Sequence, residues 1–297
     1  MDGDQFNYRL VRFLGHGAFG ATFEALTADA KRVAIKFIFP VQGKSMKEGM
    51  NEVRNYLRVA DIAEREKMNT ISCQPNLLCF YTAGELYNDS YVFNELNKVY
   101  RTMKTGNVLD PNLPIVYIVT EFLEGDDLKK LIQKGFRLRL EDIKIFLSSM
   151  LRALNYLHKR NIAHRDVKPE NIIRTRDGRY VLIDFGVICA DPFCYPFGDL
   201  RYMTNESLMI SDANGEAPIK MAQAGDFFAL ALTLYEFVSR SFIQLHRLEN
   251  RVFQFSELPT LNTQSQLIND IYNHLLEDYN YIANDPNAVL RLLKRLS

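Results

Sequence analysis

His164-Arg165-Asp166-Val167-Lys168-Pro169-Glu170-Asn171, with Asp184-Phe185-Gly186 downstream, is the stretch that decides how this chain is read. The first string mixes His, Arg, two acids, Lys, Pro and Asn in a run that neither a helical nor a strand period produces. Between the strings, Asn171-Ile172-Ile173-Arg174 and Tyr180-Val181-Leu182-Ile183 read as two short strands around a turn at Arg176-Asp177-Gly178. Such a hairpin carries Asn171 and Asp184 to the same end. Asp-Phe-Gly alone is ordinary turn sequence; the two strings at this separation point instead to a built site.

The rest of the chain is that of a globular protein. Its 297 residues are 47% hydrophobic and 24% charged, enough for one large domain or two modest ones. Lys plus Arg and Asp plus Glu number 36 each, so overall charge gives no ground for a nucleic-acid or anionic-membrane partner. The longest apolar run, Phe227 to Val238, is broken by Thr233, Tyr235 and Glu236 and is too short to span a bilayer. Met1-Asp2-Gly3-Asp4 lacks the layout of a secretory leader. Cys73, Cys79, Cys189 and Cys194 have neither zinc-site spacing nor the density of a secreted scaffold, so free thiols and an intracellular, cytoplasmic location are expected.

Patterning divides the chain. Tyr8–Leu14, Ala21–Ala25 and Arg32–Phe39 read as strands, and Pro75–Phe80 as another. A helix is expected from about Ser45 to Met68, where Val53, Tyr56, Leu57 and Ala60 recur at helical spacing. Beyond Gly125 helices dominate: Glu141–Lys159, Phe227–Ser239 and the tail from Leu267. Residues 87–114 form an unusually long connection before the strand Ile115–Thr120. They are read either as a tolerated surface loop or as a helix, built on Val92, Phe93, Leu96, Val99 and Tyr100, that docks on the small lobe or on a regulatory partner.

Together with Gly15-His16-Gly17-Ala18-Phe19-Gly20 and Val33-Ala34-Ile35-Lys36, the two opening strings resemble the signature motifs of the eukaryotic-type protein kinases. The resemblance is strong over residues 8 to 240 and weaker after them. It implies an α+β fold of two lobes in a single domain over residues 1–297: a β-rich N-lobe at 1–120, a hinge at 121–124 and a mostly helical C-lobe at 125–297. It also implies ATP-dependent transfer of a γ-phosphate to Ser or Thr of a protein substrate, with Mg²⁺ or alternatively Mn²⁺. A binding scaffold without activity, or a small-molecule kinase, would share the fold.

By the same resemblance Asp166 orients the acceptor hydroxyl and takes its proton, and Lys168 steadies the γ-phosphate. Lys36 contacts the other phosphates and is held by an acid on the following helix, where Glu52 is favoured over Glu48. Gly15, Gly17 and Gly20 bring backbone N–H groups to phosphate, while Ala34, Thr120, Glu121 and Leu123 surround the adenine. Asn171 and Asp184 bind metal; His164 and Phe185 pack internally. Asp226 resembles the acid that opens the central helix of the C-lobe, a position that also suits an N-cap.

The chain departs from the family pattern in places. Thr22 replaces Val, and in Gly198-Asp199-Leu200-Arg201-Tyr202-Met203-Thr204-Asn205-Glu206 an Asp stands where the family has Thr, while Thr204-Asn205 replaces Ala-Pro. Asp199 is therefore expected near Asp166 and Lys168, disturbing one pKa or drawing the lysine from phosphate. From Val187 to Met203 there is no Ser or Thr, so Arg165 is expected to be neutralised by Asp191 or Asp199, or by nothing, in place of a phosphate. Glu206 is expected to pair with Arg291 or Arg295.

Overall fold

The computed structural model describes residues 7–17, 19–41, 44–60, 73–103, 108–244, 246–247, 253–254 and 259–297. Two compact units result, one of residues 1–73 and 78–123, the other of residues 74–77 and 124–297.

In the small unit, strands β1 (Arg9–His16), β2 (Gly20–Leu26), β3 (Arg32–Ile38), β4 (Phe80–Leu86) and β5 (Ile115–Glu121) form one antiparallel sheet in the order β1-β2-β3-β5-β4. Helix α1 (Lys44–Ala60) lies between β3 and β4 in sequence, and α2 (Ser90–Thr102) between β4 and β5. Side chains alternate along β3, so Lys36 and Ile38 face α1 while Val33, Ile35 and Phe37 point to the other side. There they join Phe23, Tyr117 and Val119 in a core that Val92, Leu96 and Tyr100 of α2 complete. Residues 90–102 of the 87–114 connection are thus a docked helix, capped at its start by Asp89, whose carboxylate accepts the Val92 N–H. Its apolar side meets the small unit's own sheet.

One strand expectation needs correction. Residues 75–76 are a turn, closed by the Leu77 N–H on the Gln74 carbonyl, and the strand begins only at Phe80. Pro75 has no N–H for a ladder, and Asn76 is tied to the large unit, donating to the Tyr180 carbonyl and accepting from the Leu182 N–H. The expected continuation of α1 to Met68 lies outside the described residues, as does the side chain of Glu48.

The large unit carries α3 (Leu128–Gln133), α4 (Leu140–His158), α5 (Asn205–Asp212), α6 (Ile219–Ser239), α7 (Gln266–Glu277), α8 (Tyr279–Asn284) and α9 (Ala288–Leu296). A strand at Gly125–Asp127, β6, pairs with the hairpin β7 (Ile172–Thr175) and β8 (Tyr180–Leu182). Phe146 of α4, Tyr180 of β8 and Phe237 of α6 make mutual edge-to-face contacts at 5.4–6.1 Å, joining both helices to the hairpin. Helix α6 starts eight residues before Phe227, at Ile219, because Pro218 fixes the entry and the run Ile219–Gly225 is helical despite its polar members. No helix among the described residues is long and apolar enough to cross a membrane.

The free-thiol expectation is also corrected. Cys73 pairs with Cys79, and Cys189 with Cys194, at Cα separations of 5.3 and 6.2 Å, within disulfide reach. Sequence spacing does not reveal which cysteines a turn brings together.

Candidate active site

The small unit holds one group of the expected residues. The turn between β1 and β2 is closed by the Gly17 N–H on the Gly20 carbonyl at 2.9 Å. Gly20 is sterically required, because a Cβ there would lie 2.3 Å from the Phe37 carbonyl oxygen, whereas Gly15 and Gly17 face open space. Lys36 Nζ lies 2.5 Å from Glu52 Oε1. Glu52 is buried, and α1 approaches closely because Gly49, one turn earlier, leaves room for the Ile38 side chain. Ala34 pairs with Thr120 across β3 and β5, and Thr22 with Lys36 across β2 and β3. The Glu121 carboxylate accepts the Cys79 N–H at 3.0 Å, and Leu123 is buried at the unit's last residue.

The large unit holds the other group. Asn171 donates through Nδ2 to Asp166 Oδ2 at 2.6 Å and to the Asp166 carbonyl at 2.9 Å, leaving its amide oxygen as the side able to take a cation. Lys168 Nζ stands 2.9 and 2.8 Å from the two Asp166 oxygens. The Ile183 N–H donates to the Asn171 carbonyl at 2.9 Å, fixing Asp184 beside Asn171 at the end of the β7–β8 hairpin. Asp184 has φ 65° and Arg165 φ 66°, left-handed values that cost a non-glycine residue energy and persist only where the surroundings enforce them.

The enforcing group for the 164–171 loop is Asp226. Buried in the interior of α6, it accepts the His164 N–H at 2.8 Å, the Arg165 N–H at 2.7 Å and His158 Nε2 at 2.8 Å. It is therefore no N-cap: the helix begins seven residues earlier, and the carboxylate caps a loop instead. His164 is fully buried, which pushes its pKa down and keeps the ring neutral. Its Nε2 faces the Ile183 carbonyl at 3.2 Å, and its ring meets Phe185 edge-on at 5.8 Å.

The segment after Gly186 differs most from expectation. Arg165 donates to backbone carbonyls, those of Val187 at 2.7 Å, Tyr195 at 2.6 Å and Ile188 at 3.3 Å, while the charges of Asp226 and Asp191 act on it from further off. Asp199 bonds Arg201 with both oxygens, at 3.1 and 2.7 Å, and Lys168 stays with Asp166. Burial pushes the Asp199 carboxyl up, but the Arg201 guanidinium and backbone N–H more than reverse this and leave it below the usual carboxylate range. A bidentate partner two residues away outcompetes a lysine already engaged. Gly198 is enforced: at φ 125° its Cβ would stand 2.2 Å from the Arg165 carbonyl.

Glu206 accepts from the Tyr279 hydroxyl at 3.0 Å, while Arg291 bonds Asp285 and Arg295 bonds Asp270. Two participants escaped the sequence reading. His158 ends α4 like any helix-terminal histidine, and Glu236 lies in an apolar helix; neither carries a local signal of its partner. Glu236 is buried and accepts the Tyr202 hydroxyl and the Ile243 N–H, each at 2.7 Å.

A family model described as protein kinase domain matches residues 8–289. Among curated proteins, the chain is 25% identical to a putative ribosomal protein S6 kinase alpha-1 of Caenorhabditis elegans, over 80% of this chain and 26% of that protein. It is 31% identical to serine/threonine-protein kinase PknA of a Nostoc species, over 61% of this chain and 27% of the relative. With serine/threonine-protein kinase F of a Synechocystis species it shares 27% identity, over 61% and 33%. The chain thus spans about a third or less of the length of these three relatives.

Proposed function

This chain belongs to the protein kinase domain family, and we propose that it transfers the γ-phosphoryl group of ATP to serine or threonine hydroxyls of a protein substrate. The carrying observation is the Asp166–Lys168–Asn171 cluster with Asp184 fixed beside it, in a chain that also pairs Lys36 with Glu52. The relatives' names as serine/threonine kinases support the acceptor class.

The residues fit a divalent cation shared with phosphate. Among the described residues no three of His, Cys, Asp and Glu converge on a metal position, so these residues form no closed metal cage. Asn171 and Asp184 supply two hard oxygen donors, the incomplete set that suits Mg²⁺, or Mn²⁺, bound together with phosphate oxygens. When bound, the ion supplies charge neutralisation on the phosphates.

The chain's own residues do the rest. Asp166 orients the acceptor hydroxyl and receives its proton late in the transfer, and Lys168 balances charge beside it. Lys36 binds phosphate and is held by its ion pair with buried Glu52. The turn at residues 15–20 offers backbone N–H groups to phosphate, and Ala34, Thr120, Glu121 and Leu123 are the adenine contacts. Because Arg165 is satisfied by carbonyls, activity requires no Ser/Thr phosphate in the segment after Gly186.

Labelled ATP offered with mixed protein and small-molecule acceptors tests this reading. Transfer to protein Ser/Thr is expected, with Asp166→Ala lowering kcat by about 10²–10⁴-fold, Asp184→Ala abolishing metal-dependent turnover, and both variants folded. Transfer only to small molecules, or no transfer by the parent, refutes it.

A further inference from the structure

We propose that α2, the helix inserted between β4 and β5, is a positioning element for the glycine-rich turn, with Tyr100 acting through Phe39; the nucleotide part of this rests on the kinase reading. Residue 39 follows β3 directly, and its backbone N–H donates to the Phe19 carbonyl, inside the turn, at 2.8 Å. Its ring lies beneath α2: Tyr100 meets Phe39 edge-on, with ring centroids 4.9 Å apart, and both are buried. The far end of the same insertion grips the next residue, the Asp110 N–H donating to the Pro40 carbonyl at 2.8 Å beside buried Leu109.

These contacts sandwich the end of β3. Ile38 packs under Gly49 of α1, Phe39 under Tyr100 of α2, and Gly20 is pressed against the Phe37 carbonyl so closely that no side chain fits. Within the turn, beyond the β1–β2 pairing and the Gly17–Gly20 bond, the described side chains add little packing: Phe19 is exposed, and Gly15 and Gly17 meet nothing within 4 Å of a Cβ position. A turn that must place backbone N–H groups on phosphate is thus tied on its β2 side to a strand end whose position α2 fixes from one face.

The test compares Tyr100→Ala with Tyr100→Phe, which keeps the ring, and with Val92→Ala, which opens the same core about 12 Å away along α2. The first readout is hydrogen exchange over residues 15–41 in nucleotide-free protein. Tyr100→Ala is expected to speed exchange of the Phe39 amide and the turn at least several-fold more than Val92→Ala, with Tyr100→Phe restoring protection. The second is KM for ATP, expected to rise about 2–10-fold in Tyr100→Ala with a smaller change in kcat, and to stay near the parent value in Val92→Ala. Equal exchange in Tyr100→Ala and Val92→Ala overturns the proposal. A parent that turns over no ATP refutes the kinase reading instead and leaves the exchange result to decide the mechanical link.

Discussion

The 164–171 loop and the segment from Val187 to Glu206 belong to one unit and are held by opposite means. The loop is tied to the interior through a carboxylate that is 1% exposed and accepts from three donors. The segment is tied through its own carbonyls to one arginine, through the partly exposed pair Asp199–Arg201 and, at its root, through the buried Tyr202–Glu236 bond, and between these it presents Phe193, Tyr195 and Phe197 at more than 50% exposure each. A buried charge with all its bonds made has one favourable geometry, because any other leaves it unsatisfied. Carbonyl contacts at the surface have many near-equivalents in water. The candidate catalytic residues therefore sit on the part fixed by a buried charge, and the exposed aromatic side chains on the part fixed largely by carbonyl contacts.

The sharpest way to break this contrast is Asp226→Ala. It strands two buried backbone N–H groups and removes the restraint on Arg165 at positive φ, so a loss of about 3–5 kcal/mol in urea unfolding is expected, with activity lost in any folded fraction. A loss under about 1 kcal/mol would show that the loop holds itself.

Tyr202→Phe probes the anchored root of the segment. Burial raises the Glu236 carboxyl above its ordinary range, and Tyr202 supplies one of its two donors. A raised carboxyl contributes its full stability below the unfolded pKa and loses it as pH rises through the folded value. Removing the hydroxyl should cost about 1–3 kcal/mol where Glu236 is ionised and less in acid, where it is protonated. A deficit that shrinks as pH rises from acid to neutral would contradict the assignment.

Gly225→Ala is the smallest test and carries the opposite sign. Gly225 sits inside α6 with open space where a Cβ would stand, beside a cavity of about 50 Å³ also lined by Ala222, Ala229, Tyr202 and Asp226. Alanine is expected to add about 0.5–1 kcal/mol through helix propensity, read from thermal unfolding. Destabilisation would mean that the cavity is needed for Asp226 or the overlying segment to settle.

The hairpin bearing Asn171 and Asp184 was legible because strand alternation and an Asp-Gly turn are encoded in adjacent residues, and β7 and β8 form where they were expected to within a residue. Glu52 was legible because helical spacing puts it on the face of α1 that turns toward the sheet. Asp199 does lie near Asp166 and Lys168, but the expectation that it draws the lysine away failed, because a pattern of residue types does not say which cation lies nearest. Arg201, two residues on, reaches both oxygens, and the lysine does not leave Asp166.

By itself the sequence determined the two-lobed α+β arrangement and the identity of Lys36, Asp166, Lys168, Asn171 and Asp184 as the candidate chemical groups. Periodicity, turn chemistry and contiguous motifs carry that information locally. Only the tertiary structure decided that α2 covers its own sheet, that Arg165 donates to carbonyls, and that the carboxylate of Asp226, 68 residues from His158, is shared by that histidine and the loop. Such partners are set by which polar groups remain to be satisfied after the cores have packed, and a bond between distant residues leaves no period in either neighbourhood.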